Sequence, residues 1–298
     1  IIGAGAEALE FASLWNAAGC EVTLLIRKDR VLSTWERRAS MTLTRELKRR
    51  GVNVIARTAV DRVDTGANLG ATVHYRQGDS DEDRTAYGEV VLAAIGRVPN
   101  TDADWFRSSG LKLDERGYVT VDGYGRTNLD GVWALGDITP GHALAHRAFE
   151  QGITIAEKIA GADPKPVLDD TVPQVVFSFP EAASVGLTLD QAKAREDVVE
   201  PKETAYPMLS NARMLMSGEG GSMTVVSGAF ANNPDMQVVL GVHIVSPIAS
   251  DLIAEAEQLV GNRVPLADAA RLIHPHPTFS ETLGEALLKA DGRPLHTR

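Results

Sequence analysis

The sequence predicts an α/β domain followed by an α+β domain built on an antiparallel sheet, with a short segment of mixed structure between them. Two observations carry this. The chain opens on an apolar strand, a glycine-rich turn and a helix, followed at once by a second apolar strand. Its last third alternates β-branched apolar runs with helical patterns, which is the succession of an α+β layer. At 298 residues the chain is too long for one ordinary core, so about two or three domains are expected.

The elements follow in order. Ala8, Leu9, Phe11, Ala12 and Trp15 recur at the spacing of a buried helix face, and Gly19 stops that helix. Val22 to Ile26 is a β-branched-rich run, as in a strand buried on both faces. Ser33 and Glu36 have the spacing of a capping box for a second helix, which Gly51 ends. Val52 to Ile55 is the next strand, Ala71 to Tyr75 suggests a small antiparallel insertion, and Val90 to Ala94 returns to the first sheet. A strand at Gly131 to Leu135 and a helix at about residues 145–160 follow. Strands at 174–177, 224–230 and 238–245 then alternate with helices at 249–260, 266–272 and 280–289. The boundaries so read are 1–95, 96–168 and 169–298.

Composition bounds the function. Apolar residues make up 44% and charged residues 23%, ordinary for a globular chain. The formal net charge of -10 disfavours nucleic acid or an anionic membrane surface as partner, since both need a basic footprint. No apolar run approaches the roughly 18–20 residues of a membrane span. Cys20 is the one cysteine; it reads as filler before a strand, and its isolation suits a reducing compartment, so a cytoplasmic location is expected.

Gly3-Ala4-Gly5-Ala6-Glu7-Ala8 matches the glycine fingerprint of dinucleotide-binding turns. Gly3 permits the tight turn, Gly5 lets the backbone approach a pyrophosphate, and Ala8 lets helix and strand pack closely. Its place between a strand and a helix supplies the context that a lone match lacks. Residues 1–95 are therefore expected to form a Rossmann-like NAD(P)-binding domain. At the end of the second strand stand Arg27 and Lys28, where NAD readers place an acid for the ribose hydroxyl. Cations there suit the 2′-phosphate of NADPH; a solvated basic turn is the plainer reading.

Three further stretches resemble the pyridine nucleotide–disulfide oxidoreductases, in order along essentially the whole chain. Ala94-Ile95-Gly96-Arg97-Val98-Pro99-Asn100 is similar to the segment leaving their nucleotide domain. Gly131-Val132-Trp133-Ala134-Leu135-Gly136-Asp137 resembles their second flavin motif, and His142-Ala143-Leu144-Ala145-His146 the flavin-adjacent segment after it. His274-Pro275-His276-Pro277-Thr278-Phe279-Ser280-Glu281 resembles the H-x-H-P-T-x-S-E signature of the dihydrolipoamide dehydrogenase branch.

That resemblance implies FAD and NAD(P) as cofactors, a homodimer, and a small dithiol or disulfide, or a lipoyl domain, as substrate. His276 would take a proton from the dithiol across the dimer, and Glu281 would hydrogen-bond its imidazole. Asp137 would hold FAD, with Gly96, Leu144 and Ala145 in the cofactor-binding segments, and Glu10 would face the nicotinamide. Blander readings stand beside these: Glu281 could cap the last helix, and Asp137 could be a turn residue. The remaining histidines, His274 among them, read as structural or surface groups.

Two departures matter. The family's first flavin-binding unit and its paired redox cysteines do not occur here, so the chain reads as part of something longer. Arg27 and Lys28 resemble the NADPH-using glutathione and mycothiol reductases more than the NAD-dependent lipoamide enzymes. A low-molecular-weight disulfide reductase, or a non-catalytic nucleotide-binding and dimerisation module, are the alternatives. The 298-residue chain is expected to show no lipoamide turnover, because a single thiol cannot cycle as a disulfide; turnover by the purified chain in a spectrophotometric assay would contradict this.

Overall fold

The computed structural model describes residues 1–66 and 70–297. Its backbone forms two compact units: Ile1–Ile95 together with Val175–Arg298, and Gly96–Gln174.

The larger unit starts with helix α1 (Ala6–Ala17), strand β1 (Thr23–Ile26), helix α2 (Arg37–Arg49) and strand β2 (Asn53–Ala56). β1 and β2 pair in parallel, with Ile26 opposite Ala56. Ile2 bridges Leu25 on one side and Ala93 on the other, both in parallel. Its N–H donates to the Leu92 carbonyl and its carbonyl accepts from Ala94, each at 2.8 Å. The stretch expected as a strand at Val90 to Ala94 is thus a bridge rather than a full strand. It still places a chain segment on the far side of the opening residues, as a parallel α/β sheet requires. Strands β3 (Thr58–Thr65), β4 (Ala71–Gln77) and β5 (Arg84–Gly88) make the antiparallel insertion.

Glu36, not Ser33, caps α2. Its carboxylate accepts the Arg38 and Ala39 N–H groups at 2.6 and 2.7 Å. The Ser33 carbonyl instead accepts from the Arg30 guanidinium. Spacing marked the region of the helix start, but the residue that turns back onto the free N–H groups is fixed by the preceding turn.

The smaller unit holds helix α3 (Asp104–Ser108), which packs into a small core of Phe106, Val119 and Ala134, and helix α4 (Ala145–Ile159). The stretch Gly131 to Leu135 contributes one antiparallel bridge, Arg126 with Trp133, rather than a strand. Arg147 on α4 is buried, and its Nε donates to Asp169 at 2.7 Å, tying the end of this unit to its helix.

The rest of the larger unit runs through β6 (Gln174–Val176), β7 (Glu181–Gly186), α5 (Leu189–Ala194), β8 (Val198–Pro207), α6 (Ala212–Ser217), β9 (Ser222–Phe230), β10 (Asn233–Ser246), α7 (Ala249–Gly261), α8 (Leu266–Ala269) and α9 (Glu281–Ala290). The five strands form one sheet in the order β6-β7-β10-β9-β8. β7, β8, α5 and α6 have no counterpart in the sequence analysis; β7 is small-residue rich, and β8 mixes apolar, polar and charged residues with only two of its ten buried, so neither shows a strong apolar period.

The sheet is covered on both faces. Val242 and Ile244 join the core under α7 and α9, while Val245 joins a second core with Leu43 and Leu47 of α2. Successive strand residues point to opposite faces, so one strand serves two cores. α2 is further held by a hydrogen bond from Ser222 Oγ to Thr42 Oγ1. Arg50, which follows α2, is paired with Glu219 at 2.6 Å and lies 4.0 Å over the Phe179 ring. His243 is buried on this face, where the Ser184 hydroxyl donates to Nδ1 at 2.7 Å; burial holds its pKa below the ordinary value. Among the described residues no helix is long and apolar enough to cross a membrane.

Leu43→Ala deletes a side chain with 0% exposure from the core shared by α2 and the sheet. It should lower unfolding stability by about 2–5 kcal/mol. Urea denaturation reads this; a loss well under 1 kcal/mol would mean that α2 is not an integral layer.

Candidate functional site

The opening turn is built by two glycines with different jobs. Gly3 has φ 143°, and a Cβ there would stand 2.2 Å from the Ala94 carbonyl oxygen, so a side chain is barred by backbone. Ala8, with 0% exposure, packs beneath it. Gly5 is the N-cap of α1, has no side-chain cap hydrogen bond, and a Cβ on it would meet nothing within 4 Å. At Gly5 the start of this helix therefore opens onto space that no protein atom fills, and a helix N-terminus with room before it is the geometry that accepts a phosphate.

Glu10 lies one turn further on. One oxygen of its carboxylate accepts the Phe177 N–H at 2.9 Å, and Ser13 Oγ beside it accepts the Phe179 N–H at 3.0 Å. Part of Glu10 is thus spent on holding the segment after β6 against α1.

Arg27 and Lys28 follow β1 directly and are exposed. Among the described residues neither side chain has a hydrogen bond or ion pair. The neighbouring Asp29 is engaged by Arg30 at 2.9 Å. The structure adds a residue that the sequence reading missed. Arg57, just past β2, is exposed with φ 57°, and its N–H donates to the Lys28 carbonyl at 3.0 Å. Because Ile26 and Ala56 are in register, Arg57 follows its strand as Arg27 follows β1. Two expected strands each followed closely by Arg were the signal available in the sequence; their pairing is what joins the two residues.

In the smaller unit, Asp137 sits in a tight turn over Gly136–Ile138 and is exposed, with no side-chain partner among the described residues. The turn is pinned by α4: the Gly136 N–H donates to Gln151 Oε1 at 2.9 Å. Leu144 is the half-buried N-cap of α4, and Ala145 begins it, exposed. His146 is bonded to the Pro173 carbonyl at 2.7 Å. Gly96 has φ 131° and open space where a Cβ would be.

The histidine motif forms a loop leading into α9. His276 Nδ1 lies 2.7 Å from Glu281 Oε1, and Glu281 Oε2 accepts the Thr278 N–H at 2.7 Å. One oxygen of Glu281 thus faces the ring and the other holds a backbone N–H, which is half of a capping box. Thr278 is not the N-cap of α9, however; Ser280 is, and the Thr278 hydroxyl turns to the Pro275 carbonyl. Burial disfavours ionisation of Glu281, but the Thr278 N–H and His276 outweigh it and hold its pKa below the ordinary 4.5. An ionised carboxylate only accepts, so Nδ1 carries the proton of the neutral ring and Nε2 is left with its lone pair. The His276 side chain is 70% exposed, so this basic nitrogen is accessible. Among the described residues no cluster of side chains suited to a metal ion occurs.

Residues 1–152 match the family "pyridine nucleotide-disulphide oxidoreductase", and residues 172–287 match its dimerisation domain. The dihydrolipoyl dehydrogenase of Cupriavidus necator is 37% identical over 298 residues, 99% of this chain and 60% of that protein. The dihydrolipoyl dehydrogenase of Geobacillus stearothermophilus is 36% identical over 302 residues, 99% of this chain and 61% of that protein. Among solved structures, LpdA from Mycobacterium tuberculosis superposes with a TM-score of 0.84 at 29% identity, covering 97% of this chain and 60% of that one. The HOCl-induced flavoprotein disulfide reductase RclA from Escherichia coli shares the fold, with a TM-score of 0.81 at 23% identity over 96% of this chain and 63% of that one. The chain thus spans about three fifths of the length of the curated relatives it matches.

The lowered pKa of Glu281 sets a pH signature. Its ionised form stabilises the fold above the unfolded value of 4.5, and that contribution fades as pH falls through the folded value. Glu281→Gln should therefore be less stable than the wild type at neutral pH, with the gap closing below pH 4.5. Urea midpoints across pH measure it; a gap independent of pH would rule out the ionised pairing.

Proposed function

Because the chain belongs to the pyridine nucleotide-disulphide oxidoreductase family, we propose that it is the nucleotide-binding and interface portion of a dihydrolipoamide dehydrogenase. The full enzyme would pass electrons between a dithiol and NAD(P) through FAD and a redox disulfide. The single observation that carries this is the exposed His276 imidazole braced through Nδ1 by Glu281, 2.7 Å away. A dithiol is oxidised as its thiolate, and imidazole titrates where it can accept the proton near neutrality. In this reading the substrate S–H gives its proton to Nε2, and Glu281 steadies the imidazolium.

The residues fit the two cofactors. Gly5 leaves space at the start of α1 for a pyrophosphate, with Gly3 and Ala8 holding strand and helix together. Asp137 offers a carboxylate without a side-chain partner among the described residues for a ribityl chain, on a turn fixed by Gln151 of the helix that Leu144 caps and Ala145 begins. Gly96 marks the exit from the nucleotide segment. When bound, FAD and NAD(P) supply the hydride chemistry, and the protein supplies position and proton transfer. Glu10 would contribute toward the nicotinamide end with the oxygen that Phe177 does not use.

Residues 1–95 form the NAD(P)-binding domain in this proposal, 96–168 the flavin-contacting segment, and 169–298 the interface domain. The enzyme would be a cytoplasmic homodimer in which His276 works at the partner's flavin. A chain with Cys20 as its one cysteine does not itself hold the redox pair, so that pair would come from residues outside these 298.

A second reading is favoured by Arg27, Lys28 and Arg57, cations with no side-chain partner among the described residues at adjacent strand ends. They suit the 2′-phosphate of NADPH, and so a reductase of a low-molecular-weight disulfide. Steady-state assays of the full-length enzyme test both. His276→Gln should lower the rate of dihydrolipoamide oxidation about 10²–10⁴-fold, and NADP(H) should be used in preference to NAD(H). An unchanged rate ends the first reading. Glutathione or mycothiol disulfide reduced faster than lipoamide would select the second.

A further inference from the structure

The loop that carries His276 has little backbone support. Among the described residues, no backbone–backbone hydrogen bond involves residues 273–277. It is held by side chains instead. Asn211 donates to the Thr278 carbonyl at 3.1 Å, and His274 Nε2 lies 2.9 Å from Glu255 Oε1 on α7.

His274 is the contrast to its neighbour. Its side chain is 9% exposed, against 70% for His276. The ring lies against the backbone of α9 at Gly284, where a Cβ would stand 2.5 Å from Nδ1 and 2.9 Å from Cε1. Glycine weakens a helix interior, and here its lack of a side chain is what admits the ring.

We infer that His274, seated against Gly284 and bonded to Glu255, is a positioning residue that fixes the His276 loop between α7 and α9. This rests on the reading of His276 as the proton acceptor. The electrostatics agree with the geometry. The hydrogen bond to Glu255 raises the His274 pKa above 6.5 against the opposing effect of burial, with Glu281 adding to the rise. The charged groups facing His274 are Glu255 from α7 and Glu281 from α9. A protonated His274 in turn helps keep Glu281 ionised, and Glu281 orients His276. The order is Glu255, His274, Glu281, His276, and the last is the most exposed of the four.

Side-chain NMR of the purified chain tests this, following the Cε1–Hε1 signals across pH. In the wild type, His274 should titrate above 6.5, and the His276 signal should respond at the His274 midpoint. In Glu255→Gln the His274 midpoint should fall. The His276 signal should then move toward its position in Glu281→Gln, while His296, held by Glu285 at 2.7 Å, stays fixed. If Glu255→Gln does not fold, the wild-type curve decides alone. A His276 signal in the wild type that does not respond at the His274 midpoint, or an unmoved His276 signal in folded Glu255→Gln, overturns the inference. Normal coupling in an enzyme whose dithiol oxidation ignores His276 would remove the proposed function and leave the anchor standing.

Discussion

The five-stranded sheet must be buried on both faces, and most of the larger unit follows from that constraint. β10 sends Val242 and Ile244 to one side and Val245 to the other. A strand of this kind cannot leave either face to water without exposing apolar area worth about 25 cal/mol per Å². α7 and α9 cover one face; α2, drawn from the first hundred residues, covers the other. This is why Ile1–Ile95 and Val175–Arg298 form one compact unit although 79 residues, Gly96–Gln174, separate them in sequence.

The same packing positions the glycine turn and the histidine loop of the unit. α1 is held by Glu10 and Ser13 to the backbone after β6, so the glycine turn at its start is fixed to the body of the fold. α9 presses its apolar side into the sheet core through Leu283 and Leu287. Its first residue, Glu281, then stands at the edge of that core, half in water. A carboxylate so placed can satisfy a backbone N–H and a ring N–H together, and those two donors keep it ionised against the cost of burial.

Sequence reading found the elements whose signal is local. The glycine turn, the helix at residues 145–160 and the histidine motif are contiguous, and each carries its constraint in neighbouring residues. It lost those whose signal is diluted. β8 has only two of its ten residues buried and carries no run of apolar side chains, and β7 is built of small residues packed into the cores on the two faces of the sheet. It misplaced the cap of α2 because spacing allows both Ser33 and Glu36, and only the turn geometry selects Glu36. Arg57 went unnoticed because its relation to Arg27 exists only once β1 and β2 pair.

Residue types and short spacings by themselves determined an α/β opening with a glycine-rich strand-to-helix turn, an α+β end, and an imidazole with a carboxylate five residues on. They sufficed because helix period, turn conformation and hydrogen-bond capacity act over a few residues. Tertiary structure alone decided which oxygen of Glu281 serves which donor, that His274 is sunk against Gly284 while His276 stays in water, and that the first and last segments share a core. Those outcomes depend on which surfaces meet, and contact between residues far apart in sequence is set by burying apolar area, which no local pattern encodes.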